Sequence, residues 1–417
     1  MKDKHISLYT GEQIDTYVSH DHPKADYIVD TGFDGVWFWR KWHSGIAECW
    51  ASITYKKVTI EKKWGDGYYT RLDGMPDYPV AFIYHPAMNA TIQDTFGFGL
   101  EVFNYNDYTR RNPGTPYVYC PTMPHYNGEE IPLDITVNYH AIGEWALRIM
   151  TYNIGMFNWG ASGGLNTSAH PDKIDNMKEF FKIYAPDICC FQEYRDKVDS
   201  GNTLKADNTI FGNVPYKYGM SADKCAVRSF YDLYDRKSGR ISNGRKAIVH
   251  GSEISIPPRD VPYNYAKFRV GGKTIGLLDV HFTAWPGATN AEHPEWKDPE
   301  ILAPYTDTRK DEMRKAIDLV KDDNYAIICG DFNVYPGEKE AVFGIATAAG
   351  FKMANGGTSG WHTTWITTSE KYAPFDEWYC DNILVKGKFK IQHIIYPDVY
   401  NDLCSDHVPI IMDLIFD

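Results

Sequence analysis

Residues 326–336 read AIICGDFNVYP. Ala326, Ile327, Ile328 and Cys329 form a short apolar run closed by Gly330, which predicts a strand buried on both faces that stops at the glycine. Asp331 and Asn333 follow two residues apart, a spacing that predicts side chains projecting the same way from the strand end. Strand ends are where a rigid scaffold holds its reacting groups. The competing reading is an Asx turn that only closes the strand.

The same pattern recurs outward from this stretch. LRIMTYN ends on Asn153, DICCFQE on Glu193, and TIGLLDVHF carries His281. YCDNILV carries Asp381, and SDHVPIIMDLIF opens with Asp406 and His407. A lone Glu at a strand end is ordinarily surface, and a lone His in a strand is ordinarily structural. The set is different, because most strong strands of one region end in a group able to bind a hard cation, take a proton or hold a phosphate. Between them, apolar residues at helical spacing predict helices over 171–184, 308–321 and 339–349. NGRKAIVH (243–250), the pair KFRV and TIGLLDVHF, and later WHTTWI (361–366) and HIIYPDV (393–399) predict further strands. Helices and strands mix without strict alternation. The expected class is α+β, with two sheets packed face to face and helices outside.

Bulk properties narrow the function. The chain has 417 residues, 43% hydrophobic and 24% charged, which suits a globular protein of two or three domains. A net charge of −12 leaves no electrostatic footprint for tight, non-specific nucleic-acid binding. It does not exclude an enzyme that meets phosphate through a cation. The eight cysteines show no zinc-like spacing and read as reduced thiols. No apolar run approaches a membrane span, and no signal peptide is expected. Residues 1–25 are polar and read as an arm or attachment segment; their His20-Asp21-His22 triplet reads as solvated. Residues 26–146 alternate β-rich runs with turn clusters: VWFWRKW (36–42), IAECWASITYKKVTI (46–60), YPVAFIYH (78–85), TFGFGLEVFNY (95–105) and DITVNYHAIG (134–143). That predicts an all-β binding or assembly module. Residues 147–417 form the remaining, chemistry-bearing domain.

The series TYN (151–153), FQE (191–193), DVH (279–281), GDFN (330–333), CDNILV (380–385) and SDHVPI (405–410) resembles the endonuclease/exonuclease/phosphatase superfamily, in family order over residues 147–417. The resemblance implies a four-layer α/β/β/α sandwich and metal-dependent phosphodiester hydrolysis, with Mg2+ expected and Mn2+ or Ca2+ as alternatives. Glu193 is the expected cation ligand, since it offers a full charge to a hard ion. Asn153 and Asp406 complete or orient its shell. His407 is the expected general base and Asp381 the carboxylate that fixes its tautomer. Asp331 and Asn333 sit by the phosphate and the nucleophile. His281 matches the branch of DNase I-like and sphingomyelinase-like members, where it contacts the scissile phosphate. Arg245 reads either as a phosphate contact or as an exposed strand arginine. Trp285, just past His281, reads as part of a substrate rim.

The N-terminal order of a Trp39–Trp50 hairpin, YPVAFIYHP and a closing HAIGEW strand resembles β-rich tail-fibre and baseplate modules of phages infecting Gram-positive bacteria. That resemblance implies a homotrimeric virion component, assembled in host cytoplasm and bound to other virion proteins. Two substrates stay open, DNA and a host surface polymer such as teichoic acid. Two further readings are a non-catalytic receptor-binding protein and a free cellular nuclease with an unrelated β-domain.

Overall fold

In the computed structural model the described residues are 28–42, 44–93, 99–105, 110–126, 129–155, 171–196, 205–211, 216–242, 244–256, 261–284, 298–334, 337–357, 360–365, 378–397 and 405–416. The chain divides into two compact units, Met1–Ala146 and Leu147–Asp417.

Every described element of the first unit is a strand. They are β1 (Ile28–Asp34), β2 (Trp37–Trp42), β3 (Ile46–Val58), β4 (Lys62–Trp64), β5 (Gly67–Arg71), β6 (Ala87–Gln93), β7 (Glu101–Tyr105), β8 (Thr115–Cys120), β9 (His125–Tyr126), β10 (Glu129–Glu130) and β11 (Leu133–Glu144). One sheet runs β1-β2-β3-β11-β6 and a second β4-β5-β8-β7. Leu133, Ile135, Val137, Tyr139 and Ala141 alternate inward along β11, the period-2 pattern of a half-buried strand. Residues 78–85 were expected to be a strand and are not one. Tyr78, Val80, Ala81, Phe82 and Ile83 form a buried irregular segment with one bridge, Phe82 to Trp145. Its backbone N–H groups bond to Arg110, Arg111 and Glu144 carbonyls instead of a neighbouring strand. Burial makes the apolar run, and an apolar run alone does not specify a ladder.

The second unit holds β12 (Leu147–Asn153), β13 (Ile188–Gln192), β14 (Tyr218–Ala222), β15 (Cys225–Ser229), β16 (Tyr234–Arg240), β17 (Arg245–Val249), β18 (Ser252–Ile256), β19 (Pro262–Val270), β20 (Lys273–His281), β21 (Ala326–Asp331), β22 (Lys352–Met353), β23 (Asp381–Lys386), β24 (Phe389–Ile395) and β25 (Ile410–Phe416). Its helices among the described residues are α1 (Pro171–Tyr184), α2 (Ala206–Ile210), α3 (Pro299–Leu319) and α4 (Lys339–Ala348). One six-stranded sheet runs β14-β15-β13-β12-β25-β24 and another β16-β19-β20-β21-β23-β22, and β12 and β13 lie against β20 and β21. Each sheet is antiparallel except for one central parallel pair, β12 with β13 and β20 with β21. Parallel neighbours need a crossover, and α1 and α3 supply them. Met177 and Phe181 of α1 pack on Met150, Tyr152, Cys189 and Phe191 of the first sheet. Met313 and Ala316 of α3 and Phe343 and Ala346 of α4 pack on Leu278, Val280 and Ile328 of the second. The parallel strands are therefore covered on both faces, which is why β12, β13 and β21 are buried throughout. Among the described residues no helix is long and apolar enough to cross a membrane.

Several elements differ from expectation. Helix α3 begins at Pro299, nine residues before the predicted start at 308. Asp298 caps it through Glu300 N–H and Pro299 occupies the first turn, but Pro304 inside the helix reads locally as a break. Residues 243–250 contribute β17, which pairs only with β18 as a separate hairpin. Residues 361–365 of WHTTWI show a bridge from Trp365 to His407 and no strand. Gly330 does not end its strand either, since β21 runs on to Asp331.

One buried ion pair spans the first sheet. Arg148 on β12 donates from Nε and Nη2 to the two oxygens of Asp413 on β25, both at 2.6 Å, and from Nη1 to the carbonyl of Tyr184 at the end of α1. Both side chains are nearly inaccessible, at 4% and 0%. Removing one partner strands the other charge in the core; His393 Nδ1 lies 3.5 Å from Asp413. Arg148→Met is expected to lower unfolding free energy by about 3 kcal/mol in urea titrations. Arg148→Met with Asp413→Leu is expected to recover most of it, since no charge then remains to be buried.

Candidate active site

The two parallel pairs end at the same place. Asn153 closes β12 beside Gln192 of β13, with Glu193 next, and His281 closes β20 beside Asp331 of β21. Asp381 starts β23 in register with Asp331. Asp331 is the hub. Its Oδ2 accepts from Asn153 Nδ2 at 2.8 Å and lies 3.5 Å from His281 Nε2 and 3.9 Å from His407 Nε2. His407 Nδ1 meets Asp381 Oδ2 at 2.8 Å. With Nδ1 donating to that carboxylate, Nε2 faces Asp331. Asn153, His281, Asp331, Asp381 and His407 are all buried.

Local backbone makes this possible. Asn333 and Glu193 both take positive φ, +50° and +52°, a conformation that non-glycine residues adopt where a site demands it. The Asn333 N–H bonds Asp331 Oδ1 at 2.8 Å, so the Asx turn is real. It coexists with the site instead of replacing it. The Asn333 side chain does not project with Asp331 as expected. Its Nδ2 donates to the Phe282 carbonyl at 3.0 Å and ties the loop after His281 to the loop after Asp331. Ser405 Oγ donates to the Asn153 carbonyl at 2.5 Å and accepts from His407 N–H at 3.1 Å. Thr364 Oγ1 accepts from Asp381 N–H at 2.9 Å. Neither was singled out from sequence. Ser405 sits inside the quoted SDHVPI stretch, but nothing there marks its hydroxyl as a tie. Gln192 and Asp279 were also passed over. Gln192 Nε2 donates to Asp279 Oδ1 at 2.7 Å between the two sheets.

The other expected site residues fall differently. Glu193 is half-buried, and its carboxylate has no hydrogen-bond or ion-pair partner among the described residues. Asp406 is exposed and accepts from Trp365 Nε1 at 2.8 Å, outside the central cluster. Arg245 turns to α3, 3.6 Å from Asp307 and 3.7 Å from Asp311, as an exposed strand arginine would. Trp285 lies outside the described residues, as do His20, Asp21 and His22.

The carboxylates and imidazole gathered here could hold a metal ion. Ligand atoms of Asp331, Asp381 and His407 lie within 4.8 Å of one another. Among the described residues Asp381 Oδ1 and His281 Nδ1 are buried without a hydrogen-bond partner, while Glu193 is not one of this close-set group. Electrostatics point the same way. Burial, opposed by His407 and reinforced by Asp331, pushes the Asp381 carboxyl up. Burial alone lowers an imidazole, but Asp381, Asp331 and Asp406 together outweigh it and raise His407 to about 10.

That shift predicts a pH dependence in cation-free protein. A histidine raised from its ordinary 6.5 adds stability fully present below 6.5 and lost as pH rises through about 10. The melting temperature should therefore fall between about pH 7 and 8.5, before thiols begin to ionise in the unfolded chain. Exposed His250, raised by Asp298, adds slope of the same sign. The part that vanishes in His407→Gln is the share of His407, and an unchanged slope in that variant contradicts the assignment.

The family model described as Endonuclease/Exonuclease/phosphatase family matches residues 150–407. No curated protein matches the sequence. An endonuclease/exonuclease/phosphatase from Bacteroides vulgatus is 18% identical, with a TM-score of 0.45 over 66% of this chain and 100% of that one. The human Nocturnin catalytic domain with bound sulfate is 16% identical, with a TM-score of 0.44 over 65% and 95%. A humanized D. rerio TDP2 is 14% identical, with a TM-score of 0.44 over 64% and 98%. The matched residues run from β12 to His407 and take in every member of the Asp331 cluster, so the chain belongs to the Endonuclease/Exonuclease/phosphatase family and is a phosphoester hydrolase by that membership.

Proposed function

We propose that the second unit hydrolyses phosphodiesters with the help of a divalent cation, Mg2+ first, and that its substrate is DNA. The observation that supports this best is Asp331, which one carboxamide and two imidazoles approach from three different strands and loops. Glu193 and Asp331 would hold the cation, with Asn153 orienting Asp331. The ion supplies positive charge against an anionic diester. The chain's own groups do the rest. Once a cation on the neighbouring carboxylates offsets the negative charge that otherwise keeps its imidazole protonated, His407 takes the proton of the attacking water at Nε2, while Asp381 on Nδ1 steadies the imidazolium that forms. Asp331, facing both histidines, orients that water. His281 faces the phosphate and gives a proton to the leaving oxygen. In this reading the two sheets with their outer helices make a four-layer α/β/β/α sandwich.

We further infer that residues 26–146 are an all-β assembly module of a phage tail, fibre or baseplate protein. The 1–25 arm and this module would join it to other virion proteins, as a homotrimer, after assembly in host cytoplasm. The order of hairpin and closing strand supports this, together with the pairing of β2 with β3 and of β3 with β11. Mass spectrometry of purified virions tests it, and absence of the chain favours a free cellular nuclease.

Purified protein with Mg2+ should nick plasmid DNA, and excess chelator should stop it. Release of phosphodiester fragments from host cell wall, without nicking, would move the substrate to a teichoic-acid-like polymer. No cleavage of either, with the fold intact, would leave a binding protein.

A further inference from the structure

Arg309 and Glu312 stand one turn apart on α3 and are both buried, at 0% and 1% exposure. Both reach the peptide just past His281. Glu312 accepts Thr283 N–H at 3.0 Å on Oε2 and Thr283 Oγ1–H at 2.5 Å on Oε1. Arg309 Nη1 donates to the Thr283 carbonyl at 2.9 Å, and Nη2 donates to Glu338 Oε2 at 3.0 Å. Thr306, on the same helix, also donates to Glu338 Oε2. Glu338 belongs to the segment that follows Asn333. Helix α3 thus grips the chain beyond β20 and beyond β21 at once. Between the gripped points, Phe282 N–H bonds the Asp331 carbonyl at 2.8 Å and Asn333 Nδ2 bonds the Phe282 carbonyl.

Stability is a poor reason to bury this trio. It holds two carboxyl groups against one guanidinium, and apolar groups of like volume usually serve a core as well or better. Burial also pushes the Glu312 carboxyl up against the pull of Thr283 and Arg309. What the trio does offer is geometry. A carboxylate has an acceptor for each of the two Thr283 donors, and a guanidinium can span a carbonyl and a carboxylate together.

We propose that Arg309 and Glu312 are positioning residues that fix the Phe282–Thr283 peptide, and through it the His281 imidazole relative to Asp331; this rests on the hydrolytic reading above. They touch no reacting atom.

Glu312→Gln is nearly isosteric but uncharged, and it keeps both contacts only if its NH2 faces the Thr283 hydroxyl and reverses that bond, so the charge-assisted hold on the peptide is lost. Arg309→Lys keeps the charge and loses the span. With Mg2+ and a DNA oligonucleotide, whose alkoxide leaving oxygen needs the His281 proton, each should lower kcat about 10- to 100-fold. KM and the Mg2+ half-saturation should stay within about twofold, because the Asp331 carboxylate is oriented by Asn153, which Ser405 holds, and the Glu193 carboxylate makes no contact with this peptide. The NMR signal of the His281 Cε1–H, single in the wild type, should broaden or split in both variants. If Arg309→Lys fails to fold, Glu312→Gln carries the test alone. A folded Glu312→Gln with wild-type kcat and an unchanged His281 signal overturns the proposal, and so does a rise in KM at constant kcat. A wild type that cleaves no diester overturns the hydrolytic reading instead, and the His281 signal still decides whether the grip positions that ring.

Discussion

His407→Gln is expected to lower kcat for diester cleavage by about 10³- to 10⁴-fold, the upper part of the range for a lost general base. That corresponds to about 4–5.5 kcal/mol of transition-state stabilisation. The reason is positional. His407 Nδ1 is committed to Asp381 at 2.8 Å, so Nε2 is the only ring atom left to take a proton, and it faces Asp331. Glutamine can still donate to Asp381, so the buried carboxylate keeps a partner and the fold should survive. Circular dichroism and the unfolding midpoint check that. Asp381→Asn should cost nearly as much, since it removes the charge that stabilises the imidazolium. The double variant should be no worse than His407→Gln alone, because residues that act as a unit are not additive. Two losses that multiply would mean His407 and Asp381 act separately. Folded His407→Gln with full turnover would remove the base altogether.

Gly330→Ala should destabilise the second unit by about 4–6 kcal/mol, combining strained backbone with overpacking. Gly330 has φ +153°, where side chains are disfavoured. A Cβ there would lie 1.9 Å from the carbonyl oxygen of Val280, its neighbour across the parallel pair. A backbone oxygen cannot rotate away as a side chain can. Either β20 and β21 separate or the protein unfolds, and both carry His281 away from Asp331. The expected result is a melting temperature at least about 10 °C lower, or insoluble protein, with activity lost in either case. A soluble variant with wild-type melting and turnover would mean that the strands can shift at no cost. Gly35 is a fair control. It too has positive φ, but open space surrounds its missing Cβ, so Gly35→Ala brings strain without a clash.

Gly330 also shows how far the sequence could be read. The apolar run before it, followed by Asp331, was enough to predict a buried strand with chemistry at its end. In local sequence the glycine reads as the stop. Its true role depends on Val280, fifty residues away, and no local pattern reports a close backbone approach. The same division runs through the site. Asn153, His281, Asp331, Asp381 and His407 could be named because each interrupts an apolar run, and interruption is visible along the chain. Glu312 and Glu338 could not, because a polar residue in a polar stretch gives no contrast, nor could the roles of Thr283 and Ser405, whose hydroxyl partners lie far away along the chain.

What the sequence by itself determined was the inventory: buried strands, the helices that cover them, and the acid, amide and imidazole groups at their ends. Those follow from periodicity and composition, which are local. The tertiary structure alone decided which of these groups meet. It drew His407 to Asp381 and Asn153 to Asp331, gave Asp406 to Trp365, turned Arg245 to α3, and set Asn333 to bracing the Phe282 peptide. Partner choice of this kind is fixed by the register of strands distant in sequence and by the stacking of two sheets. Side-chain spacing within one strand cannot encode it.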